Sequence, residues 1–386
     1  MVHRKSIYLD NAATTFPKPP EVLQEMVDAY SVLGVSPGRG SYDLSVEAEN
    51  RVTKLRHQLC QLFEGGDPEH VIFCYNATDA LNLLIRGMIT PGCHIVSSRL
   101  EHNSVLRPLH HFRQQGLIDF DLVHFDQSGI INPKDVYAAI KPNTVFTILT
   151  HASNVLGTVQ PVKEIGGICR AKGVPLFLDV TQTAGLIPIR MNEWGVSAVA
   201  FTGHKSLLGP TGIGGLVLDS SLDVKATRFG GTGRESGSLV HNQEYPYRLE
   251  IGTINILGIF GLSAGLRYIG AKGIETIRMR ELRLAERLWA GLNVTNRVKV
   301  YGGGRYDDGK VPVVLCNIEG INAEDVAAIL DGDYGVATRA GLHCAPLVHT
   351  DIGIYPQGGV RFSMGPLNTV EEIDEVLEAV ASMVGR

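Results

Sequence analysis

Short apolar runs alternate with helix-like stretches from about residue 70 to about residue 220, and this alternation constrains the fold more than any other feature. The runs are short and rich in β-branched and aromatic residues, which is typical of β-strands. They cover residues 70–74, 94–98, 121–125, 144–149, 175–179, 198–202 and 215–218. Strands that alternate with helices form a mostly parallel sheet, whose ligands gather at the carboxyl ends of the strands. We therefore expect an α/β protein with its site at that edge.

The C-terminal part of the chain indicates a second, smaller domain. Residues 256–292 are rich in Leu, Arg, Glu and Ala and are expected to be helical, and Val311 to Ile318 is strand-like. A capping box at Thr369 predicts the start of a last amphipathic helix. We expect a large domain over residues 16–265 and a smaller α+β domain that combines residues 1–15 with 266–386.

Composition excludes several classes of protein. The 386 residues are 44% hydrophobic and 19% charged, which suits a chain with a large buried core rather than a disordered one. The formal charge of -5 gives no general positive field for nucleic acid or anionic lipid. No apolar run is long enough for a membrane span, and the first residues lack the apolar stretch of a signal peptide. We expect a cytoplasmic protein that acts on a small molecule, with no nucleic-acid, membrane or metal partner.

The six cysteines show no C-x-x-C pair and no spacing typical of a disulfide framework, so free thiols are expected. Five of them lie in apolar or ordinary helical contexts, where a buried and unreactive thiol is the expected outcome. These five are Cys60, Cys74, Cys93, Cys169 and Cys316. Cys344 is the exception.

A lysine lies directly between an apolar strand and a glycine-rich turn. Lys205 follows Thr202-Gly203-His204 and precedes the turn that begins at Gly209. A partly desolvated lysine amine is available near neutral pH to form a Schiff base. Upstream, Asp179 ends another apolar strand, where a carboxylate can keep a pyridine nitrogen protonated and make the ring an electron sink. This pair predicts a site for pyridoxal 5'-phosphate (PLP).

The phosphate of such a cofactor is expected at the helix that follows Cys74. Asn76-Ala77-Thr78-Asp79 supplies backbone and hydroxyl donors at a helix amino terminus. Thr78 is the expected donor, although the same turn is equally typical of a plain helix cap. Thr202 and His204 are near enough to Lys205 in sequence to complete the phosphate site.

Together these residues resemble the class V, fold type I PLP enzymes, and within them the cysteine desulfurases and selenocysteine lyases. The resemblance covers nearly the whole chain. It is carried, in family order, by Tyr8-Leu9-Asp10-Asn11-Ala12-Ala13-Thr14-Thr15, Glu101-His102, Ser153-Asn154-Val155-Leu156-Gly157-Thr158, Asp179 to Gln182, Thr202 to Lys205, Arg339 to Pro346 and Val360-Arg361-Phe362-Ser363. It implies a fold type I PLP-dependent transferase.

The resemblance also implies roles for single residues. His102 would stack on the cofactor ring and carry protons, and Gln182 would contact the phenolic oxygen of the cofactor. Asn154 would lie near the ring and the substrate carboxylate, which Arg361 would clamp through its planar fork. Ala13 and Arg339 are expected beside that carboxylate.

Two further features follow from the resemblance. Gly252-Thr253 matches the family's Gly-Thr that reaches the phosphate of the neighbouring subunit, which implies a homodimer. The family usually has two adjacent hydroxyl residues in the phosphate turn, whereas this chain has Ala77 before Thr78. One phosphate hydrogen bond is therefore expected to be missing or to come from the backbone.

Cys344 narrows the reaction. Residues 339–361 are dense in Gly, Pro and His and are expected to form a flexible loop, with Cys344 exposed between His343 and Pro346. Arg339 adds a positive charge, and such a setting is typical of reactive cysteines. The resemblance then implies that L-cysteine becomes L-alanine while Cys344 holds a persulfide for an acceptor protein or small thiol.

Other functions remain open from the sequence. Selenocysteine lyase, a β-lyase for another cysteine derivative, and a class V aminotransferase or epimerase with Cys344 unused all fit the cofactor residues. A non-catalytic scaffold that binds thiolation or iron-sulfur partners is a further alternative. The presence of Lys205, Asp179 and Cys344 argues against a scaffold.

Overall fold

The computed structural model describes residues 6–38, 40–304, 306–307 and 309–385. In chain order the elements are β1 (Ile7–Tyr8), α1 (Pro20–Leu33), α2 (Asp43–Leu62), β2 (Val71–Cys74), α3 (Ala77–Met88), β3 (Cys93–Ser98), α4 (Asn103–Gln114), β4 (Ile118–Val123), α5 (Pro133–Ala139), β5 (Thr144–Thr150), α6 (Val162–Ala171), β6 (Leu176–Asp179), α7 (Met191–Trp194), β7 (Val196–Thr202), β8 (Gly214–Leu218), α8 (Ile256–Lys272), α9 (Ile274–Val294), β9 (Val298–Tyr301), β10 (Val313–Ile318), α10 (Ala323–Tyr334), β11 (Val336–Ala337), β12 (Arg339–Gly341), α11 (Pro346–Asp351), β13 (Gly359–Ser363) and α12 (Val370–Val384).

A seven-stranded sheet forms the centre of the protein, in the order β2-β8-β7-β6-β5-β3-β4. Five neighbouring strands run parallel, and β8 is antiparallel to both of its neighbours. Side chains on both faces of the central strands are buried, because helices cover the sheet on each side. The expected α/β fold with a mostly parallel sheet is confirmed.

Both predicted ends of the strand at residues 121–125 are wrong. The fourth strand begins at Ile118 instead of residue 121, since the chain turns at Gly116 and pairs at once with β3. Phe125, which was placed at its end, forms an isolated bridge with Ile131. The helices expected over residues 256–292 are confirmed: Gly273, with a φ of 82°, separates α8 from α9.

A smaller antiparallel sheet, in the order β12-β13-β10-β9, packs with α9, α10 and α12 around its own apolar cluster. The first strand, β1, pairs in parallel with β11, so the N-terminal residues join the C-terminal part of the chain. The capping box at Thr369 is present, with both of its hydrogen bonds formed. The division of the chain into 16–265 and the remainder stays a prediction.

The segment at residues 339–361 is more ordered than expected. It contains β12, α11 and the start of β13, and only residues 342–345 connect the first strand to the helix. His343 and Cys344 in this connection have φ angles of 50° and 58°, in the left-handed region that side chains rarely adopt. Among the described residues, no helix combines the length and the apolar character that crossing a membrane requires.

Candidate active site

A cavity of about 240 Å³ lies at the carboxyl ends of β5, β6 and β7. It brings together most of the residues that the sequence predicted for the site: Ala13, Ala77, Thr78, His102, Asn154, Asp179, Gln182, Thr202, His204, Lys205, Arg339 and Arg361. Two predicted residues do not line it. Cys344 lies just outside, and Thr253 lines a separate open recess of about 730 Å³.

Lys205 lies three residues beyond the end of β7 at Thr202 and is partly accessible from the cavity. Desolvation by the surrounding protein and, second to it, the charge of Arg361 lower the pKa of Lys205 to about 8. A larger fraction of this amine is therefore unprotonated near neutral pH than of an ordinary lysine amine. That is the property required of a lysine that bonds covalently to an aldehyde.

Asp179 and His102 occupy the same cavity. Asp179 ends β6, is 5% exposed, and accepts a hydrogen bond from the Thr181 backbone N–H at 2.9 Å. The His102 ring contacts Ser104 through Nδ1, at 3.0 Å from the backbone nitrogen and 2.8 Å from the hydroxyl. Burial lowers the pKa of His102 to about 4, so its ring is neutral at ordinary pH. Gln182 donates to the Ala12 carbonyl at 3.2 Å.

The amino terminus of α3 lies at one end of the cavity. Asn76 caps this helix by accepting the Asp79 N–H at 3.0 Å, which leaves the first backbone N–H groups, at Ala77 and Thr78, outside the helical hydrogen-bond pattern. These groups can bind an anion. Ala77 lacks the hydroxyl that is usual at this position, but backbone N–H groups at the same place can donate to an anion instead.

Arg361 lies on β13 and is only 1% exposed. Its guanidinium donates to the Asp10 carboxylate at 2.7 Å and to the Asn154 carbonyl at 3.0 Å, while its Nε is buried without a partner. Burial lowers the pKa of Arg361, and Asp10 counteracts part of that effect. Sequence reasoning did not assign Asp10 a role, although Asp10 belongs to the N-terminal motif that carried the resemblance.

Cys344 was expected on an exposed, flexible loop, and both expectations need correction. The residue is half-buried, and its backbone carbonyl accepts the Asn103 N–H at 2.7 Å. The preceding carbonyl, of His343, accepts from the Asn154 amide at 2.7 Å. Arg339, which lines the cavity, donates to the Cys344 sulfur at 3.6 Å. The loop is therefore tied to the cavity wall. All six cysteines are free, as expected.

Residues 7–376 match the family model described as aminotransferase class-V. The chain belongs to the class V aminotransferases. This class V protein is 32% identical to a probable cysteine desulfurase of Methanothermobacter thermautotrophicus, over 98% of this chain and 96% of the relative. It is 31% identical to the cysteine desulfurase IscS of Pectobacterium carotovorum, over 98% and 93% of the two chains. The solved apo structure of a cysteine desulfurase from Thermococcus onnurineus matches with a TM-score of 0.92 at 31% identity, covering 99% of this chain and 95% of that one.

Class V aminotransferases of this kind use PLP, and PLP is the cofactor of this chain. The cavity fits it. The hydroxyls of Thr181 and Thr202 and Nδ1 of His204 are buried at its wall with no hydrogen-bond partner in the protein. Buried polar atoms require partners, and a phosphorylated, oxygen-rich ring supplies acceptors for such groups. Lys205 and Asp179 place in the same cavity an amine and a carboxylate of the kinds that such a ring requires.

Proposed function

We propose that this chain is a PLP-dependent cysteine desulfurase, which converts L-cysteine to L-alanine and holds the removed sulfur as a persulfide on Cys344. One contact carries the proposal. Arg339 lines the cavity that contains Lys205 and also donates to the Cys344 sulfur at 3.6 Å. The thiol is therefore adjacent to the place where the amino acid substrate would react.

Different residues of the cavity would hold or move different protons. When bound, PLP withdraws electrons from the α-carbon of the substrate. Asp179 would hold a proton on the pyridine nitrogen, and Lys205 would bind the cofactor and move the proton at the substrate α-carbon. The lowered pKa of Lys205, about 8, suits a base that must release and accept a proton near neutral pH. The neutral ring of His102 would cover one face of the cofactor.

Arg361 would bind the substrate carboxylate. Its Nε–H is buried and unpartnered, so one donor remains available although Asp10 already occupies another part of the guanidinium. The Asp10 contact also fixes the plane of the guanidinium. Arg361 therefore loses little further conformational freedom when a ligand binds. Asp10 therefore acts as a positioning residue for the substrate-binding arginine.

Cys344 would take the sulfur. Its thiolate attacks the sulfur of the substrate cysteine, an S–S bond forms, and the Cβ–S bond of the substrate breaks. The bonding electron pair stays with the carbon, which takes a proton and becomes the methyl group of alanine. The sulfur on Cys344 is thereby oxidised to the sulfane level as the carbon is reduced. No external oxidant is required.

The proposal also includes a homodimer, a sulfur acceptor, a cellular compartment and a domain boundary. Thr253 is exposed and does not line the cavity that contains Lys205 in its own subunit. This placement is consistent with contact to the phosphate site of a second subunit in a homodimer. The persulfide would pass to an acceptor protein or small thiol. Six free thiols suit a reducing compartment, and we place the protein in the cytoplasm. The large and small domains would divide at residues 265 and 266.

Replacement of the proposed sulfur carrier tests the function. Cys344→Ser should keep the absorbance spectrum of the bound cofactor, since Cys344 lies outside the cavity, but should release alanine from cysteine at least about 100-fold more slowly. Cys60→Ser is the matched control, because Cys60 is a half-buried free thiol whose pKa burial raises to about 11. It should behave as the wild type does.

Mass spectrometry of the wild type after treatment with cysteine should show one added sulfur on the peptide that contains Cys344. If Cys344→Ser desulfurates cysteine at the wild-type rate, sulfur transfer through Cys344 is wrong. A parallel assay with selenocysteine and with other cysteine derivatives distinguishes a desulfurase from a selenocysteine lyase or another β-lyase.

A further inference from the structure

The segment that carries Cys344 is an excursion of the chain between two paired strands of the smaller sheet. β12 and β13 pair directly, with Gly341 opposite Gly359, and the chain between them runs through Cys344 and α11. Three apolar residues of this excursion belong to the core on one face of the central sheet: Ala345, Val348 and Ile354. The excursion therefore packs against the part of the protein that carries Lys205, and not only against the smaller sheet that it connects.

Two directional contacts anchor this excursion at the two ends of α11. Arg99 donates through Nε and through a terminal guanidinium nitrogen to the carboxylate of Asp351, the last residue of α11, at 2.6 Å in each case. Just before the helix, the carbonyl of Cys344 accepts the Asn103 N–H at 2.7 Å. One short segment after β3 thus contacts both ends of the stretch from residue 344 to residue 351.

The segment that makes both contacts is itself fixed to the central sheet. The Arg99 N–H donates to the carbonyl of Val123, the last residue of β4, at 3.0 Å. Glu101 is fully buried and accepts the Thr150 N–H at 3.0 Å. His102, which lines the cavity, belongs to the same segment. The contacts of this segment therefore set the position of the thiol relative to the cavity.

Apolar packing and the ion pair do different things for α11. Burial of Val348 is non-directional, so it keeps the helix on the surface of the core without fixing how the helix is turned there. A bidentate pair of arginine and carboxylate fixes orientation, because two parallel N–H···O bonds align the two planar groups. The side chains of Arg99 and Asp351 are only 21% and 19% exposed, so solvent ions screen this pair less than a surface pair.

We propose that Arg99 is a positioning residue for Cys344: through Asp351 it fixes α11, and with it the sulfur of Cys344, beside the cavity that contains Lys205. The inference rests on the proposed function in taking Cys344 as the sulfur carrier. Attack on the substrate sulfur requires a defined distance and angle, and a small misplacement of a reacting group lowers the rate by a large factor. Arg99 does not line the cavity, so its role is confined to the thiol.

Substitution of each member of the pair, and of both, tests this role. Arg99→Met keeps most of the length of the side chain and removes the charge, and Asp351→Ala removes the pair from the other side. Each single variant should release alanine from cysteine about tenfold more slowly at an unchanged KM, the effect of losing a hydrogen bond between charged groups. The double variant should be no slower than the slower single variant, because both residues act through one contact.

A reaction that needs no thiol separates positioning from general damage. Exchange of the α-proton of L-alanine with D2O requires the cofactor cavity but no sulfur acceptor, and NMR follows it. Arg99→Met should perform this exchange at the wild-type rate and keep the absorbance spectrum of the bound cofactor. Amide hydrogen exchange of residues 346–352, measured on the cofactor-loaded enzyme without substrate, should be about tenfold faster than in the wild type, because one anchor of α11 is lost.

The matched control is a second bidentate pair, outside the excursion. Arg287 on α9 donates to Asp374 on α12 through Nε and through a terminal nitrogen, at 2.5 and 2.9 Å. Arg287→Met removes the same type of contact and should change neither alanine release nor the amide exchange of residues 346–352.

Three results would overturn the inference: desulfuration by Arg99→Met at the wild-type rate, losses that multiply in the double variant, or an equal loss of the alanine proton exchange. The last would mean that the substitution damages the cavity as a whole. Failure of the proposed function would appear in a different variant, Cys344→Ser. Because the amide exchange of Arg99→Met is measured without turnover, it would still show whether the pair holds α11, and the two ideas fail separately.

Discussion

Lys205 differs from an ordinary lysine in the pKa of its side-chain amine. Desolvation lowers its pKa from 10.5 to about 8, so its amine becomes a nucleophile at a lower pH than that of free lysine. The rate of cofactor capture by the apo-protein should therefore rise with pH and be half-maximal near pH 8. Stopped-flow absorbance of PLP binding measures this rate, and the reaction of PLP with free lysine corrects for titration of PLP itself.

Lys205→Ala should show no absorbance band of lysine-bound cofactor at any pH. Lys225→Ala is the control, since Lys225 is exposed and away from the cavity, and it should keep the full band. Retention of the band by Lys205→Ala would assign the cofactor to another lysine. A capture rate that is half-maximal near pH 10 would mean that the cavity does not desolvate this amine.

At the scale of elements, a buried ion pair joins α2 to the central sheet and to the segment before Thr253. Arg56 on α2 forms two hydrogen bonds with Glu250, at 2.9 and 2.8 Å, and Glu250 also accepts the Phe73 backbone N–H at 2.6 Å. Both residues of the pair are less than a tenth exposed. Arg56→Met should lower the free energy of unfolding by about 3 to 5 kcal/mol, because it leaves a buried carboxylate unpaired.

Equilibrium denaturation of the cofactor-free protein measures this loss. The pair of Arg51 with Glu47 is the matched control on the same helix, since both of its side chains are 46% exposed. Arg51→Met should leave the unfolding midpoint nearly unchanged. Equal effects of the two substitutions would show that burial does not make the Arg56 pair special.

The positions of site residues relative to strands and helices show which parts of the site the sequence could predict and which it could not. Asp179 could be placed because it is the last residue of an apolar strand, and Lys205 because it lies just beyond another, and both strand ends are encoded locally. The contact of Arg361 with Asp10 could not, since the two residues are 351 positions apart and no local pattern links one to the other. Two-residue strands such as β1 and β11 are too short for periodicity to detect.

The turn around Cys344 illustrates a different limit. Its content of Gly, Pro and His predicted a flexible loop, yet His349 and Val348 are fully buried and a short helix forms there. Composition indicates where a backbone can turn but not which side chains the tertiary structure buries. The contact between His343 and His349, at 3.2 Å, likewise arises from tertiary packing that no sequence pattern specifies.

At the scale of the whole molecule, the proposed homodimer can be tested with mixed subunits. A dimer of one Lys205→Ala subunit and one Thr253→Ala subunit has one unaltered site if Thr253 serves its partner, since the subunit with Lys205 intact then receives an intact Thr253. The mixed dimer should recover about half of the wild-type activity after co-expression and two-tag purification. If Thr253 serves its own subunit, the mixed dimer has no unaltered site.

Homodimers of either variant are the controls and should show little activity for Lys205→Ala and weakened cofactor binding for Thr253→Ala. A mixed dimer no more active than the average of its two parent homodimers would contradict the shared site. Sedimentation of the wild type as an active monomer would contradict it as well.

The pairing of β1 with β11, and the contact of Asp10 with Arg361, determine when parts of the structure can form during translation. While the ribosome makes the chain, residues 7–10 emerge long before their partners at residues 336–337 and 361–363. The seven-stranded sheet can close long before then. Arg361, which we propose binds the substrate carboxylate, thus reaches its place only well after the strands around Lys205 have been made. A chain released between those two points would carry Lys205 without the group proposed to hold an amino acid beside it.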